Sequence, residues 1–520
     1  MQMYEEVIPG REKKFAKRRT SEPVREDADS AAQTAELALD VWWQAIQSRD
    51  RRFDGRFFVA AVTTRVYCRP SCPMPFAKAN NIALYPSAAA AETAGFRPCL
   101  RCRPETSPAT PAWLGTSAVI SRALRLIREG ALNEDGVEQL AERLGIGARQ
   151  LRRLFVQHLG ASPVQIASTH RVHFARNLIE ETDLPMSAVA MNAGFKSIRQ
   201  FNHTLKSTFG HAPTELRASR TDYPGDQSSS GLEIRLSYRP PLNWPALLSF
   251  LRFRATPGVE EVTSDAYRRT IETGNGTGLI EVKLDDEKLC LVVRIELSDY
   301  AGLMSVVERV RRIFDLGADP MVVTQHLSGS SVLKALVNEQ PGIRVPGAWD
   351  GFELSISAIL SRYAGIRQSV PLMAKLASEF GMPIETRFPG LARLFPRPEA
   401  LRRAELSRIG IRKEWARPIR VLSQAISSGR LGFESSRSLA ETISRFCAVP
   451  GIDEDIAQYI AMRACGEPDA CPLVCIGLVG RTSTQPFQRG ISSVLASSEK
   501  WRPWKAYGVM HVWTATERSA

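Results

Sequence analysis

The rhythm of apolar and polar positions changes several times along this 520-residue chain, and each change marks a different unit. Up to about Asp40, charge is mixed with Ser, Ala and Pro (K-K-F-A-K-R-R-T, then E-P-V-R-E-D-A-D-S), so residues 1–36 read as a disordered lead. A helix around Ala38 to Ser48 carries the apolar residues Trp42, Trp43 and Ile46. Phe57 to Val66, rich in β-branched and aromatic residues, predicts one strand leading to Cys68. Ala88 to Ala94 predicts a short helix, and Pro104 to Ala112, with its three prolines, a linker. From about Ser117 to Arg217 the pattern is helical throughout. Val137 to Leu144, the turn Gly145-Ile146-Gly147 and Ala148 to His158 read as helix, tight turn, helix. Leu140, Leu144, Ile146, Leu151, Leu154 and Phe155 face inward, while Arg149, Gln150, Arg152 and Arg153 face outward. A second copy runs from Met186 to Ala193, through Gly194-Phe195, to Ser197–Phe209. Its outward face carries Arg199, Gln200, Asn202 and His203. A long helix of about Pro163 to Glu181 joins the copies.

Tyr223 to Gly231 is a flexible linker by composition. Beyond it, Leu232 to Tyr238, Leu279 to Leu284 and Leu289 to Ile295 predict strands, and Tyr300 to Phe314 a helix. From Val345 onward the pattern is helical. The expected fold is multidomain and mainly α: a small α+β cysteine domain over 37–112, a double helix-turn-helix domain over 113–222, a linker over 223–231, an α+β lobe over 232–344 and an all-α domain over 345–520.

A length of 520 residues and 44% apolar content fit several domains with real cores. A net charge of +13 favours a polyanionic partner, nucleic acid first. No apolar run approaches the roughly 20 residues of a spanning helix. The N-terminus, with Glu5, Glu6, Arg11 and Lys13, has no apolar signal core, so the expected setting is cytoplasmic and reducing, with no membrane partner. Nine cysteines, an odd number, agree with metal ligands plus free thiols.

Four of these cysteines fall in two close pairs, Cys68/Cys72 in Y-C-R-P-S-C-P and Cys99/Cys102 in G-F-R-P-C-L-R-C-R-P. That spacing suits a tetrahedral four-thiolate Zn²⁺ site. Two disulfides or four unrelated core cysteines are the alternative. Arg69, Arg97, Arg101 and Arg103 crowd the pairs and point to an anionic neighbour, for which phosphate is the natural candidate. D-G-R-F (Asp54 to Phe57), T-T-R-V-Y-C-R-P-S-C (Thr63 to Cys72) and A-G-F-R-P-C-L-R-C (Ala94 to Cys102) resemble the metal-binding domain of the Ada adaptive-response family. The resemblance implies that Cys68 irreversibly accepts a methyl group from a DNA methylphosphotriester. It also makes Cys72, Cys99 and Cys102 its fellow zinc ligands. Of the arginines around them, Arg69 and Arg101 are the expected DNA contacts.

Ala190 to Pro213 is similar to the AraC-family signature A-x-x-x-G-F-x-S-x-x-x-F-x-x-x-F-x-x-x-x-G-x-x-P, with Leu205 at the second phenylalanine. This implies that each second helix enters a DNA major groove, adding Ser197 to the polar residues named above as DNA contacts. It implies double-stranded DNA and RNA polymerase as partners. His158, His173 and His211 read as surface or cap residues, since none has a second ligand at metal spacing.

In the C-terminal half, V-P-G-A-W-D-G-F-E (Val345 to Glu353), V-P-G-I (Val449 to Ile452), Y-I-A-M-R-A (Tyr459 to Ala464), E-P-D-A-C-P (Glu467 to Pro472) and W-R-P-W-K-A-Y (Trp501 to Tyr507) resemble AlkA-type 3-methyladenine DNA glycosylases. The family's helix-hairpin-helix turn, with Gly451 and the position of Asp453, would present backbone N–H groups to a DNA phosphate. The sequence departs from the pattern at several points. The second hairpin glycine is Asp453, whose charge opposes a phosphate, and the usual Trp-Thr is Asp455-Ile456. The usual Gln-Gln is Arg362-Tyr363, and the catalytic aspartate falls on Cys475. A thiol that is neutral near pH 7 does not supply the missing charge. Two readings of this half follow: a degenerate glycosylase kept as a scaffold or lesion-binding module, or a working glycosylase with a substitute acid. For the whole chain, a zinc-containing transcription factor without chemistry is the rival of another class. No P-C-H-R guanine-alkyltransferase tetrapeptide occurs, and Cys290, Cys447, Cys465 and Cys471 read as ordinary buried thiols.

Overall fold

The computed structural model describes residues 41–75, 81–108, 118–219, 231–274, 276–433, 438–472, 494 and 497–518. A helix over 41–48 leads into a four-stranded sheet of order β3-β1-β2-β4, formed by β1 (Phe58–Ala61), β2 (Val66–Cys68), β3 (Ile82–Tyr85) and β4 (Arg97–Pro98). The single strand expected over Phe57 to Val66 is a hairpin instead. The exposed V-T-T-R stretch has no face to bury. Arg65 takes a left-handed φ of 56°, with its N–H bonded to Ala61 O at 3.0 Å, and folds β2 back on β1. Ser87 caps the helix Ala88–Thr93 by accepting the Ala90 N–H. The same hydroxyl donates to Leu159 O at 2.6 Å, tying this sheet domain to the helices that follow.

The helical repeat is built as its spacing predicts. Val137–Arg143 and Ala148–Leu159 form the first helix-turn-helix, and Met186–Asn192 and Ile198–Phe209 the second. Pro163–Glu181 runs between them. Both second helices end on a left-handed glycine, Gly160 (φ 68°) and Gly210 (φ 77°). Each is followed three residues on by a proline, Pro163 or Pro213, at the start of the next helix. Leu151, Phe155 and Leu159 are buried at the same relative positions as Phe201, Leu205 and Phe209, so Leu205 fills the core as the expected phenylalanine would.

The second half begins with a five-stranded antiparallel sheet of order β5-β9-β8-β7-β6: β5 (Leu232–Ser237), β6 (Glu260–Val262), β7 (Ala266–Glu272), β8 (Thr277–Asp285) and β9 (Cys290–Leu297). β6, β7 and the helix Trp244–Arg252 go beyond the sequence reading. β7 hides because Arg269 is buried in mid-strand, where its guanidinium bonds Glu353 Oε2 at 2.8 Å, 84 residues away. The sheet packs on the helix Leu303–Ile313, and the helical domain continues its core through Gly351–Ala364, Lys413–Ser427, Leu439–Cys447 and Glu454–Arg463. Cys290 and Cys465 are buried as expected, and Cys471 is half-buried. Cys447, the last residue of its helix, is exposed beside buried Phe446. None of the described helices is long and apolar enough to cross a membrane.

The halves are packed together. Arg122 on the first helix of the helix-turn-helix domain gives both Nε (3.0 Å) and Nη2 (2.7 Å) to Glu467 Oε1. Arg312 reaches Glu129 at 3.3 Å, the Arg235 N–H reaches Glu181 at 3.0 Å, and Arg56 is paired with Asp319.

Candidate metal centre and DNA-facing surfaces

The two cysteine pairs meet because β2 and β4 run parallel, with Tyr67 opposite Pro98. β2 ends on Cys68 and β4 ends one residue before Cys99, whose N–H bonds Tyr67 O at 2.9 Å. Tight turns carry the chain to the second members, with the Cys72 N–H on Arg69 O at 3.1 Å and the Arg103 N–H on Cys99 O at 3.0 Å. The four Sγ atoms lie within 4.8 Å of one another. Neighbouring sulfurs at roughly 3.8 Å are what tetrahedral Zn–S bonds of about 2.3 Å require. Four thiolates gathered this closely call for a divalent cation as their counter-charge. Cys72, Cys99 and Cys102 are buried, whereas Cys68 is only partly covered.

Three residues of D-G-R-F have a place here. Asp54 is buried beneath the Cys68–Cys72 turn, accepting the Ser71 N–H (3.1 Å) and hydroxyl (2.6 Å), with Arg69 at 3.6 Å. Burial raises the Asp54 pKa against the pull of Arg69 and Ser71. Gly55 (φ 78°) passes so close to Pro108 that a Cβ would lie 1.9 Å from its carbonyl oxygen. Phe57 stacks on Trp42 at 4.8 Å.

The arginines do not all face outward. Arg101 and Arg97 are exposed, and Arg101 Nη1 lies 2.9 Å from Met74 Sδ. Arg69 leans on Asp54. Arg103 turns inward to Glu180 (2.6 Å) and Glu105 (3.4 Å), so it belongs to the junction with the long helix and not to an anion-facing surface. His173 is neither a surface nor a cap residue. Its Nε2 lies 2.9 Å from Glu92 Oε1 and 3.2 Å from the Tyr67 hydroxyl. Thr169 Oγ1 and Tyr67 Oη both donate to Glu92, at 2.5 and 2.9 Å. Burial opposes the charge of Glu92, but His173, Thr169 and Tyr67 outweigh it and hold the carboxyl below its usual range. The residue beside Cys68 is thus hydrogen-bonded to the helix that joins the two helix-turn-helix units. Sequence spacing gave no signal for this trio, whose members are scattered from 67 to 173.

On the helix-turn-helix domain Arg149, Gln150, Arg152, Arg153, Ser197, Arg199, Gln200, Asn202 and His203 are all exposed. Two of them have intramolecular work as well: Arg152 pairs with Glu138 at 2.6 Å, and Ser197 Oγ caps its helix by accepting the Gln200 N–H at 3.2 Å. In the C-terminal half, Gly451 (φ 90°) makes the turn between Leu439–Cys447 and Glu454–Arg463. Asp453 caps the second helix through the Ile456 N–H and is paired with Arg362. Its charge is therefore matched within the chain, which the sequence reading of a bare opposing carboxylate did not foresee. Tyr363 stacks on Trp415 beside this turn at 6.2 Å. Cys475 lies outside the described residues.

Fold and site together define a DNA-binding regulator with a four-cysteine Zn²⁺ centre, joined to a glycosylase-like half. The model for the metal binding domain of Ada matches residues 41–105, a helix-turn-helix domain 140–219, and the AlkA N-terminal domain 233–350. A probable bifunctional transcriptional activator/DNA repair enzyme AlkA of Mycobacterium tuberculosis is 38% identical over 480 residues, 91% of this chain and 96% of the relative. DNA-3-methyladenine glycosylase 2 of Escherichia coli is 26% identical over 285 residues, 54% of this chain and 95% of the relative. The Escherichia coli bifunctional transcriptional activator/DNA repair enzyme Ada is 31% identical over 181 residues, 35% of this chain and 49% of the relative. Among solved structures, the 3-methyladenine DNA glycosylase of Archaeoglobus fulgidus is 18% identical with a TM-score of 0.46, covering 55% of this chain and 99% of that one. The chain belongs to the family of bifunctional transcriptional activator/DNA repair enzymes that join an Ada-type zinc and helix-turn-helix half to an AlkA-type half.

Proposed function

We propose that Cys68 is a single-use methyl acceptor for DNA methylphosphotriesters and that the methylated protein activates transcription. The observation that carries this reading is the uneven cover of the zinc ligands: Cys68 is partly open while Cys72, Cys99 and Cys102 are buried. Zn²⁺ held by the four sulfurs would keep Cys68 a thiolate without a separate base. The Cys68 sulfur attacks the methyl carbon, a C–S bond forms, and the methyl C–O bond breaks. The electron pair stays on the phosphate oxygen, so the diester anion is restored. Exposed Arg101 would hold that phosphate together with Arg69, which also pairs with Asp54.

Four thiolates on Zn²⁺ sum formally to −2, and methylation of one leaves −1. The site then repels the DNA backbone less. This favours engagement of operator DNA by Arg149, Gln150, Arg152, Arg153, Ser197, Arg199, Gln200, Asn202 and His203, and recruitment of RNA polymerase there. Cys68→Ser in the full chain is the test: retention of phosphotriester methyl transfer would end this reading.

The C-terminal half reads as a glycosylase scaffold that binds DNA with little or no base excision. Loss of one preorganised charge stabiliser costs about 10²–10³ in rate, and Cys475 stands at the position where the aspartate is expected. Release of 3-methyladenine from methylated DNA by the full chain should be marginal and should rise in Cys475→Asp. Robust release by the unaltered chain would favour an active bifunctional enzyme.

A further inference from the structure

The hairpin turn of the C-terminal half is a poor phosphate site in this chain. The helix after Gly451 opens on Asp453, Glu454 and Asp455, three carboxylates in one turn. Arg362 pairs with Asp453 and also faces Asp455, which leaves the exposed Glu454 carboxylate beside the turn's amides, where it opposes a phosphate.

Cationic side chains gather on another flank of the first hairpin helix. Between Lys413–Ser427 and Leu439–Cys447 lies an open groove of about 560 Å³, lined by Arg402, Arg420, Arg430 and Arg445 over an apolar floor that includes Leu431 and Val449. No carboxylate lines it among the described residues. Arg402 and Arg430 are exposed. Ala404 O fixes the Arg420 guanidinium by accepting from Nε (3.1 Å) and Nη2 (2.8 Å), and Arg430 Nε is steadied on Ser428 Oγ at 3.0 Å. From 398 to 450 the chain holds ten Arg and Lys against five Asp and Glu, a net +5 of the chain's +13. The volume falls in the range of about 300–1,000 Å³ usual for organic ligands and is large for a lone ion. Guanidinium forks match phosphate oxygens, and an apolar floor suits the sugar face between phosphates.

We propose that DNA anchorage of the C-terminal half has moved from the hairpin turn to this arginine groove, which takes the sugar-phosphate backbone of the duplex. The inference rests on the reading of that half as DNA-binding and is independent of methyl transfer by Cys68.

The test uses the full chain in an Arg149→Gln, Arg153→Gln, Arg199→Gln background, which quiets the helix-turn-helix contribution, and a duplex without operator sequence. Adding Arg402→Gln and Arg430→Gln should lower affinity about tenfold and flatten the salt dependence by about two, at about 0.9 per phosphate contact. DNA should also slow hydrogen exchange over 413–431. An unchanged thermal midpoint verifies that the two exposed substitutions leave the fold intact. Unchanged affinity and slope, or no protection over 413–431, would overturn the proposal. So would a tenfold gain in affinity on Glu454→Gln, which would place the backbone at the hairpin turn. Loss of methyl transfer in Cys68→Ser leaves each of these outcomes readable.

Discussion

Arg362 Nε lies 2.9 Å from Asp453 Oδ2, joining two positions that both depart from the glycosylase pattern. Read singly, each departure is a defect: a cation where Gln is usual, and a carboxylate where a hairpin glycine is usual. Together they form an ion pair, and Asp453 also caps its helix. At 50% and 44% side-chain exposure the pair is worth little, so Arg362→Gln should cost less than about 0.5 kcal/mol. Asp453→Ala should cost about 1 kcal/mol through the lost cap, and Asp453→Asn should retain most of it. Urea unfolding of the three variants checks the order.

Gly451 next to this pair is not replaceable. A Cβ there would sit 2.3 Å from Pro418 Cγ at a φ of 90°. Gly451→Ala should destabilise by more than about 2 kcal/mol, read from the same unfolding curves.

Tyr67 should matter to the junction more than to the metal. Tyr67→Phe removes the hydroxyl shared by Glu92 and His173 while leaving the four cysteines in place. The expected cost is about 1–2 kcal/mol, with zinc content unchanged and faster hydrogen exchange along Pro163–Glu181. A helix with unchanged exchange would show that the zinc domain and the central helix are not coupled through this residue.

How much was legible in the sequence follows the range of the forces involved. The helix-turn-helix repeat could be read closely because its signals are local: apolar spacing, the turns at Gly145-Ile146-Gly147 and Gly194-Phe195, and Pro163 at the start of the joining helix. The four cysteines were equally plain, since their pair spacing carries the chemistry. What escaped depended on distant partners. Buried Arg269 disguises β7 because Glu353 satisfies it from another domain, and Arg103 sits in sequence among the anion-facing set while Glu180 holds it from the long helix. His173 had no metal-spaced neighbour, so nothing local linked it to Glu92. The β1–β2 hairpin was hidden because T-T-R carries strand-forming residues through a turn that only Arg65's backbone reveals.

His511 should give the fold a pH dependence. It is buried on the helix Lys505–Arg518, and burial pushes its pKa down to about 4, from a usual value near 6.5. A histidine with a depressed folded pKa contributes stability that is present above about pH 6.5 and is lost as pH falls towards 4. The loss should be on the order of 3 kcal/mol at the low end. Unfolding free energy measured from pH 7.5 to 5 should fall more steeply in the unaltered chain than in His511→Gln. Parallel curves would remove His511 from the account.

The most direct measurement is peptide mass spectrometry of the full chain after incubation with duplex DNA containing methylphosphotriesters. The expected result is one methyl group, on Cys68, with Cys72, Cys99 and Cys102 unmodified and zinc retained. An unmodified Cys68, or a methyl on one of the buried cysteines, would contradict it.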